Sequence, residues 1–141
     1  AICGRIAAMT SVRDFSSREP RALEDDEEID LGRHRVRWFD APHVPHGWEC
    51  GLMMEMNTKT FLCGDLFTQG GHGTRALTEE DILEPSEAFR KPLDYFAHAP
   101  TTRTMLERFA RYEPTTLACM HGSAWHGDGA ALLRALADAV A

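Results

Sequence analysis

The chain has 141 residues, 43% of them hydrophobic and 26% charged, the balance of one ordinary globular domain rather than a disordered or collagen-like polymer. Fifteen Lys and Arg against 22 Asp and Glu leave a net charge of −7, which argues against nucleic acid or an anionic membrane as the main partner. No apolar run approaches the ~18 residues of a membrane span, so the chain reads as soluble.

Residues 1–3 read as a short apolar strand already under way at Ala1, followed by one or two turns of helix from Ile6 to Met9. With no Met, basic leader or small-residue cleavage site at the start, the expectation is a processed chain or a piece of something longer. From Asp14 to Leu31 the chain is polar. Its run Glu24-Asp25-Asp26-Glu27-Glu28 lacks the alternating ligands and turning glycine of a calcium loop, so a solvated loop is expected, with Gly32 permitting a turn. Residues 34–40 alternate, Val36 and Trp38 against Arg35, Arg37 and Phe39, which predicts a strand with one buried face. Two prolines and a glycine exclude regular structure over 41–49. Cys50 to Met56, a turn at Asn57-Thr58-Lys59, and Thr60 to Gly64 predict an antiparallel hairpin.

A loop rich in glycine (Gly70, Gly71, Gly73) follows Asp65. Phe89, Leu93 and Phe96 form one helical stripe over 86–98, and Met105, Leu106, Phe109 and Tyr112 form another over 101–112, bracketed by Pro100 and Pro114. Thr115 to Cys119 reads as a strand ending in Met120-His121-Gly122. A last helix starts near Asp128, a good N-cap, and buries Leu132, Leu133, Leu136 and Val140. The order is strands, hairpin, two helices, strand, helix: an α+β domain with a sheet and its helices on one face.

The four cysteines, Cys3, Cys50, Cys63 and Cys119, include no C-x-x-C pair, which excludes a zinc ribbon or thioredoxin-like motif. They read most simply as buried small hydrophobes in a reducing cytoplasm, and Met53, Met54 and Met56 as strand packing. Three polar residues share a position type instead. His46, Asp65 and His121 each follow a strand at the start of a loop, where ligands from distant segments converge on a sheet edge. Imidazole and carboxylate suit zinc and non-haem iron. Histidines beside Pro and Gly loops often do nothing, and Gly64-Asp65 is also ordinary turn chemistry. His43 competes with His46 as ligand or serves behind it. His126 reads as surface and His72 as an exposed loop residue that could face substrate. Trp48 and Trp125 fit a pocket wall or core packing equally well.

His46, a hairpin, and Gly64-Asp65 19 residues on, with a strand ending in His121-Gly122 and then Trp125, resemble the metallo-β-lactamase fold, and within it the oxygen-binding di-iron, flavodiiron-like branch. The likeness runs from about Val36 to the end. It implies an αββα sandwich of which this chain is the C-terminal half, with His46 on one metal, Asp65 bridging two and acting in catalysis, and His121 on the second. The cofactors implied are two divalent metal ions, zinc or iron. The family's first motif, H-x-[HE]-x-D-[HE], has no match in residues 1–35, where His34 stands alone. The expectation is therefore a single partial domain over 1–141, with half the ligands missing and carried upstream in a longer parent, and a weak metal site in this chain by itself.

Function then divides. A metal-dependent hydrolase acting on a small-molecule substrate is the first expectation, with a bridging water activated by the metal pair. The alternative is a di-iron centre that binds or reduces dioxygen or nitric oxide. Its electrons would come from a flavin elsewhere, since residues 1–141 contain no flavodoxin-like segment and no flavin site. A degenerate, non-enzymatic metal domain is the third. An isolated half-sandwich would also expose a sheet face, which favours self-association as a homo-oligomer.

Overall fold

Alternation of apolar residues along three consecutive strands sets up the centre of the molecule. The computed structural model describes residues 1–71 and 75–140, so His72, read above as a loop residue near substrate, lies outside the described residues. Strand β4 (Arg35–Asp40) pairs antiparallel with β5 (Gly51–Glu55), and β5 with β6 (Thr60–Gly64), the last two forming the expected hairpin. The hairpin turn is tied by Glu55, whose carboxylate accepts from the backbone N–H of Thr58 at 2.6 Å, the Thr58 hydroxyl, and the N–H of Asn57 at 3.2 Å. These bonds, led by the Thr58 hydroxyl, draw its pKa down to about 2.

After β6 the chain crosses over through two helices, α3 (Leu83–Leu93) and α4 (Thr102–Ala110), and returns as β8 (Thr116–Cys119), parallel to β6. Two very short strands extend that side: β9 (Ala124–His126) runs antiparallel to β8, and β7 (Leu77–Thr78) runs parallel to β9. On the other side β3 (Glu28–Asp30) pairs with β4, giving the sheet order β3-β4-β5-β6-β8-β9-β7 among the described residues. A separate parallel pair joins β1 (Ile2–Gly4) to β2 (Arg21–Leu23). Between them runs a helical stretch made of α1 (Arg5–Ala7), a π turn (Ala8–Val12) and α2 (Arg13–Phe15), longer than the turn or two expected. Helix α5 (Gly129–Ala139) closes the fold, with the Asp128 carboxylate accepting from the Ala131 N–H at 2.9 Å as its N-cap. No helix among the described residues is long and apolar enough to cross a membrane.

The core lies between one face of the sheet and the helices. Phe39, Phe61 and Phe109, all essentially buried, meet with ring centroids 5.1 to 6.2 Å apart, and Tyr112 stacks edge-on to Phe39 at 4.9 Å. Leu106 of α4 and Leu133 and Leu136 of α5 complete this cluster, while Leu132 and Val140 are only partly buried against it. The opposite face of the sheet carries a smaller cluster of Leu23, Ile29, Val36 and Trp38, with Met53 against it. Leu62, next along that face, is 45% exposed.

Three expectations need correction. Strand β4 is buried on both faces, because Phe39 packs into the helical core while Val36 and Trp38 pack into the smaller cluster. Residues 14–31 are not simply a solvated loop. They contain β2 and β3, and the acidic run is clamped by cations from distant elements. Arg108 reaches Asp25 at 2.8 Å and Asp26 at 2.9 Å, Arg37 reaches Glu28 at 2.6 Å, and the Tyr112 hydroxyl donates to Asp26 at 3.0 Å. The helix expected over 86–98 ends at Leu93, since Pro92 occupies its last turn and Asp94 takes a left-handed φ of 48°. Leu93 consequently faces solvent, and Phe96 reaches the core from the following loop.

Removing the Phe61 ring from the aromatic cluster (Phe61→Ala) is expected to destabilise the chain by about 3–5 kcal/mol in urea unfolding. Gly51 lies beneath the Trp38 ring, where an added Cβ would fall 1.9 Å from Trp38 Cζ2. Gly51→Ala should therefore cost about 1–3 kcal/mol and red-shift tryptophan emission as the ring is displaced.

Candidate metal centre

Because β4 and β6 flank β5 in antiparallel pairs, they run in the same direction, and β8 runs parallel to β6. The carboxyl ends of all three strands therefore meet one edge of the sheet. His46 sits in the loop after β4, Asp65 directly after β6, and His121 two residues after β8. The structure brings these three sequence-expected residues together. Asp65 Oδ2 is 2.9 Å from His46 Nε2, and Asp65 Oδ1 is 3.4 Å from His121 Nε2. The two imidazoles are half exposed or more, and the carboxylate is 25% exposed. Among the described residues the buried Asp65 Oδ1 has no hydrogen-bond partner.

Each carboxylate oxygen thus faces a different histidine. With bonds of about 2.1 Å, two ligands on one cation at 90–110° would stand roughly 3.0–3.4 Å apart; the Asp65–His121 separation lies in that range, and the hydrogen-bonded Asp65–His46 pair, at 2.9 Å, would need to open slightly. An orphaned buried carboxylate oxygen is costly unless a cation or donor meets it. The residues present therefore fit two metal corners, each with two protein ligands. Among the described residues no group of three or more His, Cys, Asp or Glu side chains is arranged to hold a metal ion by itself.

Backbone contacts hold His46, Asp65 and His121 in place. The loop 41–50 folds back on itself through Ala41 N–H to Cys50 C=O at 2.8 Å, and its Val44 is fully buried. Ala97 donates to Pro45 C=O at 2.7 Å and so fixes the residue before His46. The Tyr95 hydroxyl, whose pKa burial raises, donates to Asp65 C=O at 3.1 Å, and the Thr68 hydroxyl donates to the same oxygen at 2.9 Å.

Gln69, which sequence reasoning missed, clamps the Asp65 loop to the His121 loop. Its N–H donates to His121 C=O at 3.2 Å, its side-chain amide donates to Ser123 C=O at 3.3 Å, and Ser123 N–H donates back at 3.1 Å. Gly122, with φ +97°, leaves room for this side chain, since a Cβ there would fall 2.8 Å from it. Nothing local in Thr68-Gln69-Gly70 signals this role, because its partners lie more than 50 residues away.

The other candidates lie elsewhere. His43 is engaged within its own loop. Its Nδ1 accepts from Trp48 N–H at 3.0 Å and closes the loop on itself. His126 is an exposed residue of β9 near the Thr116 hydroxyl. Trp125 packs against the main core. Trp48 is 68% exposed and walls a cavity of about 230 Å³ with Ile6, Pro42 and Glu49. Burial, then Asp40, raises the Glu49 pKa, and burial pushes the Cys50 thiol up to about 11. The four cysteines are free thiols, Cys3 and Cys63 buried and Cys50 and Cys119 half-buried, where all four were expected to be buried. Cys63 donates a hydrogen bond to Cys119 across 3.8 Å, which is the main reason its own pKa is raised and that of Cys119 lowered.

No family model matches the sequence, and no curated protein matches it. Solved structures do. A flavodiiron core from Synechocystis superposes with a TM-score of 0.79 at 19% identity, covering 99% of this chain and 36% of that one. Rubredoxin oxygen:oxidoreductase from Desulfovibrio gigas gives 0.76 at 16%, covering 97% and 37%. The chemotaxis sensor ODP from T. denticola, in its apo state, gives 0.74 at 13%, covering 95% and 56%. This chain thus spans between about a third and just over half the length of these neighbours. At such identities the likeness speaks for the fold, and the fold of this chain is that of a partial flavodiiron core, a metallo-β-lactamase fold.

Proposed function

We propose that the chain contributes one side of a di-iron centre that binds and reduces dioxygen or a similar diatomic such as nitric oxide. The observation that carries this reading is the Asp65 carboxylate, one oxygen facing His46 and the other facing His121. The sequence reading ranked a metal-dependent hydrolase first. The structural neighbours favour the di-iron alternative, since their names are those of flavodiiron proteins and an oxygen oxidoreductase.

Two irons bound there would supply the redox chemistry toward the diatomic. The residues of this chain supply placement and charge. Asp65 carries a negative charge between the two corners and offsets the repulsion of two cations held close together. His46 and His121 would ligate through imidazole nitrogens, and Asp65 would be the anionic ligand these three residues contribute. Tyr95, Thr68 and Gln69 hold the Asp65 and His121 loops at fixed spacing, which limits the rearrangement a metal demands. On this reading the remaining ligands and the electron donor come from outside residues 1–141.

Anaerobic Fe(II) or Co(II) titration of the chain, read by absorbance and metal analysis, tests the assignment. Asp65→Ala is expected to weaken both metal equivalents, and His46→Ala and His121→Ala one each, by at least about tenfold. Metal binding that ignores all three substitutions would sink the reading. Zinc-dependent hydrolysis of a phosphodiester, lost in Asp65→Ala, would restore the hydrolase. Gln69→Ala removes the clamp without removing a ligand and should lower metal affinity by about tenfold while leaving the stoichiometry unchanged.

A further inference from the structure

Among the described residues one pair of cysteines has its sulfurs in contact. Cys63 Sγ stands 3.8 Å from Cys119 Sγ. Cys119 is the last residue of β8 and Cys63 the last but one of its parallel neighbour β6, where Cys63 is the extra residue as the register slips between Leu62 and Gly64. Cys63 is fully buried, whereas Cys119 is half-buried, so a reagent arriving from solvent meets Cys119 first. We infer that Cys63 and Cys119 form a redox-modification site, a dithiol that a peroxide closes into a disulfide across β6 and β8.

The chemistry balances with hydrogen peroxide as the named oxidant. The Cys119 sulfur attacks one peroxide oxygen, an S–O bond forms, the O–O bond breaks, and the thiol proton leaves with hydroxide as water. The Cys63 sulfur then attacks the Cys119 sulfur, the S–S bond forms, the S–O bond breaks, and the second proton leaves with hydroxide as a second water. Two thiols lose two electrons in total, and the peroxide gains two. The sulfurs must close from 3.8 Å to the about 2.05 Å of a disulfide, a movement that draws on both strand ends.

Those ends carry the metal corners. Asp65 lies two residues beyond Cys63 and His121 two beyond Cys119, with the Met120 N–H donating to Gly64 C=O at 2.9 Å between them. Closing the disulfide therefore shifts Asp65 against His121 and weakens metal binding there. This second step rests on the di-iron reading; the disulfide itself does not.

Each cysteine falls in a different tryptic peptide: 1–5, 38–59, 60–75 and 112–134. The reduced full chain is treated with a few equivalents of hydrogen peroxide, quenched, blocked and digested. The expected product is peptide 60–75 linked to 112–134 and released by dithiothreitol, with Cys3 and Cys50 still blocked as free thiols. Cys119 found as sulfinic acid, scrambled links, or four free thiols would overturn the inference. Co(II) titration of the reduced and oxidised chains then reads the coupling, with tenfold weaker binding expected after oxidation and no peroxide effect in Cys119→Ser. Equal affinities in both forms would remove the coupling and leave the disulfide standing. If neither form binds Co(II), the di-iron reading fails, and peptide mapping still decides the dithiol.

Discussion

The parallel pairing of β6 with β8 is the constraint on which the rest of this structure depends. Parallel strands bring their carboxyl ends to the same edge, and the crossover this requires is supplied by α3 and α4. The pairing joins residues more than 50 positions apart, and it brings Asp65 and His121 to the same place. Antiparallel steps from β6 through β5 to β4 then bring the His46 loop to the same edge. The candidate centre is thus a consequence of strand direction before it is a matter of side chains.

What holds the strands in that arrangement is apolar. Phe39 from β4, Phe61 from β6 and Phe109 from α4 meet in one aromatic cluster, so the sheet and the crossover helices share a single set of contacts. Arg108 adds a link from the same helix, its guanidinium over the Phe39 ring and its charge on Asp25 and Asp26. The acidic run is drawn onto the body of the fold by this pairing, although most of its residues keep a solvated side. Exposed ion pairs of this kind contribute little each, and their effect lies in fixing where the segment runs.

Legibility followed the range of the forces. The β5–β6 hairpin was readable because alternation and a short turn are local properties, and Asp128 was readable as an N-cap for the same reason. Strands β2, β3, β7 and β9 were not. Each is two or three residues long, and its extended form comes from a partner strand rather than from its own side chains. The stripe drawn through Leu93 assumed an unbroken helix, while the backbone turned at Asp94. Gln69 illustrates the same limit at the site, since a polar residue beside glycines acquires its role only when the His121 loop is folded against it.

Sequence alone determined the class of the domain, the hairpin, the apolar stripe of α4, and the three residues His46, Asp65 and His121 as one candidate set, because periodicity, turn chemistry and motif spacing are carried along the chain. Tertiary structure decided that each oxygen of Asp65 faces its own histidine, that His43 turns into its loop instead, and that Cys63 touches Cys119. Those contacts depend on strand direction and register across the sheet, which arise from the packing of distant segments and are written in no local stretch of residues.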